Sequence, residues 1–212
     1  MIIQLSKVKL LTTSEILALL SAASVLRKEK HLIELLIYCK AKKIKRIKIY
    51  ESLLQTYLFA GFPSALVSLK KFNDIIPLKN PSQRDSTRLS SFEKGKIICR
   101  KIYGNKFDKL ISNIYEFSPE LSEWLIKEGY GKVISRTGLS IQERELSIIS
   151  ILSCLKYKSQ LYSHINGAYR NKVNKQRIKK VIQNLEQLGN KSYTKFGLRV
   201  YDDFFKKQNV SN

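Results

Sequence analysis

A chain of 212 residues, 43% hydrophobic and 26% charged, carries enough apolar material for a packed core, which excludes an intrinsically disordered chain. No apolar run reaches the roughly 18–20 residues that span a bilayer, and the opening MIIQLSKVKLLTTSE lacks the apolar core and small-residue cleavage site of a secretory signal, so a cytoplasmic chain with no membrane span is expected. Net charge is +22, from 39 basic and 17 acidic residues, which brings anionic partners into question.

The elements follow in order. Thr13 or Ser14 is placed to cap a first helix, with Glu15 in its first turn and Leu17, Leu20 and Ala23 along it. A second helix runs over Leu32, Leu35, Leu36 and Cys39, and a third from Arg46 to Ala60, stopping at Gly61. Pro63 opens a fourth, through Leu66 and Leu69 to Phe72. Residues 73–91 hold two prolines among polar residues and read as a linker. Helical periodicity resumes over Phe92–Tyr103 and Lys106–Phe117. Ser118-Pro119-Glu120 starts a helix that the Gly-Tyr-Gly of 129–131 is expected to end. Ser140 and Glu143 form a capping-box pattern before a helix with Leu146, Ile149, Leu152 and Leu155. Further helices follow over Gln160–Asn171, Lys175–Leu188 and Tyr193–Lys207. No alternating run bounded by hairpin turns appears, so the fold class is all-α.

Cys39, Cys99 and Cys154 lie far apart, and only His31 and His164 could join them as ligands. With no CxxC pair, neither a zinc site nor a disulfide framework is expected, and a reducing compartment fits. Of the 39 basic residues 29 are lysine, a bias typical of A+T-rich coding. Groove readers add arginine forks or aromatic platforms to their charge. A solvated basic surface is therefore the expectation, and nucleic acid is disfavoured as a partner.

The two ends of the chain repeat one order: helix, helix, basic connector, helix. The connectors are KKIKRIK (42–48) and NKVNKQRIKK (171–180). A shift of 129 lays Lys43 on Lys172, Ile44 on Val173, Lys48 on Arg177 and Ile49 on Ile178. Leu35 then falls on His164, and Glu51 on Lys180. Residues 1–73 are read as a first repeat, 74–104 as a linker and connecting helix, and 105–212 as a second repeat.

Two stretches go beyond periodicity. ESLLQTYLFAGFPSA (51–65) resembles the C-terminal motif of carboxymuconolactone decarboxylases, E-V-L-L-Q-T-x-x-Y-x-G-x-P-x-A. GKVISRTGLSIQEREL (131–146) followed by QLYSHINGA (160–168) resembles the N-terminal motif of the same family, G-x-x-x-x-R-x-G-L-x-x-x-x-R-E-L and then L-x-x-H-x-x-x-A. The resemblance implies two degenerate units of the helical fold shared with alkylhydroperoxidase-type proteins, assembled as homo-trimers or hexamers. It implies decarboxylation of a small lactone without metal or organic cofactor. Peroxidase members carry a CxxC pair upstream of the histidine. Here those positions are Tyr157 and Gln160, so dithiol peroxidase chemistry is excluded.

Glu145 and His164 match the family's Glu and His. Their spacing puts them on adjacent helices of one hairpin, within reach of a charge-assisted hydrogen bond that would hold the imidazole as a general acid/base. The plainer reading is a core pair that locks two helices. Arg136 and Arg144 are candidate contacts for a substrate carboxylate, against an alternative as structural ion pairs. Tyr157 and Gln160 are further candidate substrate contacts. The first half has Leu35 in place of the histidine and keeps a carboxylate, Glu15, near the family Glu position. Lys43 and Lys172 stand where the family often has a left-handed glycine. The basic connectors are expected to oppose the macrodipole of the helices they start. Three functional readings follow: cofactor-free acid/base chemistry on a small carboxylated or lactone substrate, an inactive oligomeric scaffold, or an anion- or nucleic-acid-binding protein. The first requires an enclosed space beside His164.

Overall fold

The computed structural model describes residues 11–77 and 89–210. Its helices, in chain order, are α1 (Thr13–Val25), α2 (Glu29–Ala41), α3 (Arg46–Leu54), α4 (Tyr57–Ile75), α5 (Ser91–Tyr103), α6 (Phe107–Phe117), α7 (Pro119–Trp124), a π-helical segment (Leu125–Ile134), α8 (Ile141–Leu155), α9 (Lys158–Arg170), α10 (Lys175–Asn184) and α11 (Lys191–Val210). Among the described residues there is no strand, and the fold is all-α. No single helix among them is long and apolar enough to cross a membrane.

Two compact units divide the chain, one of residues 1–79 with 139–212 and the other of residues 80–138. The packing division differs from the sequence reading, which joined 105–138 to the C-terminal helices. The reason lies in α1 and α8. Every residue of α1 from Ser14 to Val25 is buried, and so is every residue of α8 from Glu143 to Cys154. A helix buried on all sides needs neighbours on all sides. These two pack side by side at the centre of the first unit, with α2, α3 and α4 around α1 and with α9, α10 and α11 around α8. Leu17, Leu36, Ile49, Leu53 and Phe72 share one core with Cys154, Leu185 and Leu188.

Both central helices start on a capping box. Ser140 and Glu143 form it at α8, as the sequence pattern indicates. At α1 the cap is Thr12, one residue before the expected Thr13 or Ser14, and Glu15 completes the box at 2.9 Å. Glu15 is thus the counterpart of Glu143. It does not stand for Glu145, so the first half lacks both the Glu and the His.

Three boundaries depart from expectation. The helix begun at Arg46 ends at Leu54, not Ala60, and α4 leaves at 119° to it. Tight bonds from the Thr56 amide and the Thr56 hydroxyl to the Leu53 carbonyl make the turn. The Gly61–Pro63 break is a kink inside α4, with Gly61 at φ 73°, and α4 extends to Ile75, into the expected linker. The rest of that linker, residues 78–88, lies outside the described residues. In the second unit, Gly-Tyr-Gly does not stop the helix, which widens into π-helical turns through Ile134. A Cβ on Gly131 would lie 1.9 Å from the Ser91 carbonyl oxygen, and one on Gly95 would lie 2.0 Å from that of Ile126. These glycines let α5 and the π segment touch backbone to backbone.

Among the described residues four non-glycine residues have positive φ: Arg27 (54°), Lys43 (53°), Lys156 (61°) and Lys172 (64°). They fall into two pairs 129 residues apart, the shift read from the connectors. Each follows the C-terminal end of a helix, where a cation offsets the partial negative charge of the unpaired carbonyls. Lys43 and Lys172 therefore complement the dipoles of α2 and α9, while the basic first turns of α3 and α10, with no acidic residue, oppose theirs as expected.

Candidate functional site

The site is built on the α8–α9 hairpin. Lys156 in the left-handed conformation turns the chain, and the Tyr157 amide donates back to the Leu152 carbonyl at 3.2 Å. This closure brings the second turn of α8 beside the middle of α9. His164 Nδ1 then lies 3.0 Å from Glu145 Oε2. Glu145 is 0% exposed and His164 7%. A carboxylate buried that deeply is costly without a donor, and the imidazole supplies one. An ionised carboxylate can only accept, so opposite one Nδ1 is the donor of the contact. The other carboxylate oxygen, Oε1, is buried without a hydrogen-bond partner.

Arg144, next along α8, points into the first half. Its Nη2 donates to Glu51 Oε2 at 2.9 Å and its Nη1 to Gln55 Oε1 at 3.4 Å. The side chains of Arg144 and Glu51 are each only 1% exposed. Arg144 thus lies in an interior ion pair and does not face solvent as a substrate contact. Gln55 was not singled out from the sequence, although it lies one turn beyond Glu51 in the same LLQT stretch.

Two further contacts join the halves in mirrored fashion. Lys48, at the start of α3, pairs with Glu143 in the first turn of α8. Arg177, at the start of α10, donates to Ser14 Oγ in the first turn of α1 at 3.2 Å. Lys48 and Arg177 are 129 residues apart, and each reaches the first turn of the other half's central helix, Lys48 at Glu143 and Arg177 at Ser14, the residue before Glu15, which is the counterpart of Glu143. Burial acts to raise the Glu143 carboxyl, but the Lys48 hydrogen bond and charge together with the Ser140 cap outweigh it and hold the group below its ordinary range.

The remaining candidates sit elsewhere. Tyr157 and Gln160 are exposed at the start of α9, two turns and one turn respectively before His164. Arg136 belongs to the other unit, where its amide donates to the Val133 carbonyl. Cys39, Cys99 and Cys154 are buried and unbridged. Burial pushes the Cys39 thiol up to about 12 and Cys154 also upward, so neither is a thiolate near neutrality. No group of three His, Cys, Asp or Glu side chains is placed to hold a metal among the described residues. One cavity, about 180 Å3, opens in the first unit near Ser24 and Ser68. Another, about 540 Å3, lies in the second unit near Arg100 and Phe107. Neither is lined by His164 or Glu145.

No protein-family model matches the chain. It is 27% identical over 135 residues to Peroxisomal protein 2 of Schizosaccharomyces pombe, across 62% of this chain and 63% of that protein's length. It is 21% identical over 121 residues to 4-carboxymuconolactone decarboxylase of Acinetobacter baylyi, across 57% of this chain and 90% of that enzyme. These matches support a distant, family-level relationship to both proteins without specifying an activity.

Proposed function

We propose that this chain is a two-unit carboxymuconolactone decarboxylase-like protein using cofactor-free acid/base chemistry on a small carboxylated or lactone substrate. The observation that carries the reading is the 3.0 Å contact between His164 Nδ1 and Glu145 Oε2, at the two motif positions. Glu145 orients the ring through Nδ1, so Nε2 is the nitrogen that exchanges a proton with a bound molecule. In a decarboxylation the substrate carboxylate leaves as CO2 and its bonding pair moves into the unsaturated lactone. The imidazolium delivers a proton to the lactone carbon on which that pair comes to rest, and solvent reprotonates the ring. Duplication is supported by the paired left-handed cations and the mirrored Lys48–Glu143 and Arg177–Ser14 contacts. The first half contributes Glu51 and Gln55, which hold Arg144 beside the dyad. Homo-oligomerisation, as trimer or hexamer, is supported by apolar Phe62 and Leu66 exposed on α4. Unbridged Cys39, Cys99 and Cys154 fit a reducing cytoplasm, while the name of the yeast relative offers the peroxisome as the alternative to check by imaging.

The test is CO2 release and loss of the lactone chromophore with 4-carboxymuconolactone and a panel of carboxylated lactones. His164→Asn and Glu145→Gln are expected to lower kcat about 100-fold or more. Equal activity in His164→Asn sinks the reading. A specific observation favours a second reading, an inactive oligomeric scaffold: His164 is almost fully buried and lines neither cavity. In that case no substrate turns over, and both variants lower stability while light scattering reports an unchanged assembly.

A further inference from the structure

We infer that the first half of the chain holds a binding site of its own, for a small hydroxy-carboxylate, in the cavity between the end of α1, the start of α2 and α4. The inference goes beyond the acid/base reading and does not depend on it. The cavity measures about 180 Å3, the liquid volume of roughly six waters, which suits a compact molecule with one small ring.

Its polarity is graded. The buried hydroxyls are Ser24, Ser64 and Ser68. Thr56 Oγ1 donates to the Leu53 carbonyl at 2.7 Å, so at its 3.3 Å contact with Ser24 it can only accept. Ser24 therefore donates to Thr56, and at 2.7 Å Ser68 donates to Ser24. Ser64 donates to the Ser24 carbonyl at 3.1 Å. A hydroxyl has one proton and two lone pairs. All three protons are committed to the protein, so the inner end of the cavity offers acceptors only.

The outer end has the opposite character. Arg27 is exposed there and Lys28 half-buried. The one carboxylate at the mouth, Glu29, is paired with Lys71. Arg27 is fixed in place by its left-handed backbone, with its amide donating to the Ser24 carbonyl and that of Lys28 to the Ala23 carbonyl, each at 3.0 Å. The apolar lining is Ala23 and Leu32, which are buried, and Pro63 and Val67, which are exposed. An anionic group at Arg27 and Lys28, an apolar body and a hydroxyl donating to the serine lone pairs would satisfy all three zones. A bare inorganic anion would gain nothing from the walls and would meet lone pairs at the inner end.

The experiment titrates the full-length protein with trans-4-hydroxycyclohexanecarboxylate, with cyclohexanecarboxylate, which lacks the donor, and with trans-4-hydroxycyclohexanecarboxamide, which lacks the charge. Amide chemical shifts give site and affinity. The hydroxy acid is expected to shift Ser24, Ser64 and Ser68, and each analogue to bind about tenfold more weakly. Arg27→Gly keeps the fold, because glycine adopts positive φ freely. It is expected to weaken both acids about tenfold and leave the amide unchanged, and Lys28→Gln repeats the test from the neighbouring cation. No binding, equal binding of the three compounds, shifts confined to other residues, or unchanged acid affinity in both variants would each overturn the inference.

Discussion

Arg144 of α8 and Glu51 of α3 meet at 2.9 Å inside the core, each with 1% of its side chain exposed, so the halves of the first unit are joined by a fully desolvated ion pair. Removing one partner leaves a charge that water cannot reach. Arg144→Met is expected to destabilise the fold by about 3–5 kcal/mol. Arg144→Met with Glu51→Leu is expected to recover most of that loss, since an apolar pair of similar volume fits the same space. Urea midpoints of the two single variants and the double variant check this. Additive losses would mean that the pair does not act as a unit.

The Lys48–Glu143 contact predicts a pH signature. The folded carboxyl is held below its ordinary range. Its stabilisation is therefore present above the unfolded pKa, near 4.3, and lost as pH falls through the lower folded value. Lys48→Met is expected to cost about 1 kcal/mol at pH 7. The gap from the parent protein should close as the pH is taken below the ordinary glutamate range. Denaturation at a series of pH values checks it, and a gap that widens in acid contradicts it.

Two glycines of one motif are expected to behave oppositely. A Cβ on Gly131 collides with the Ser91 carbonyl, whereas one on Gly129 meets only Leu125 Cδ1 at 3.9 Å. Gly131→Ala should destabilise the second unit by about 1–3 kcal/mol or more. Gly129→Ala should stabilise it by up to about 1 kcal/mol. Trp124, the one tryptophan of the chain, lies in that unit, so its fluorescence follows the transition directly.

What could be read from the sequence was what local chemistry decides. Ser140 and Glu143 declare their cap because both halves of the box lie within four residues. The partnership of Glu145 with His164 follows from spacing on two consecutive helices. Lys43 and Lys172 are marked as left-handed by the resemblance, which puts them where the family often has glycine, and both have positive φ. What escaped was set by distant neighbours. Gly131 reads as a stop signal, and only the approach of Ser91 makes it a packing residue. Arg144 reads as a substrate contact or one half of an ion pair, and its partners Glu51 and Gln55, on the distant α3 and the turn that follows it, are not legible beside it. The same distance hid the grouping of residues 139–212 with residues 1–79.

That grouping bears on how the protein is made. α1 buries its whole circumference, and its largest neighbour is α8, which begins 128 residues later in the chain. At translation rates of about 5–20 residues per second, α1 leaves the ribosome on the order of ten seconds before α8 exists. During that interval an apolar helix has only α2, α3 and α4 to shelter it, while residues 80–138 are still being made. The nascent chain therefore passes through a stage at which a holding chaperone has an obvious substrate, and the yield in cells should depend on that interval as well as on the stability of the finished fold.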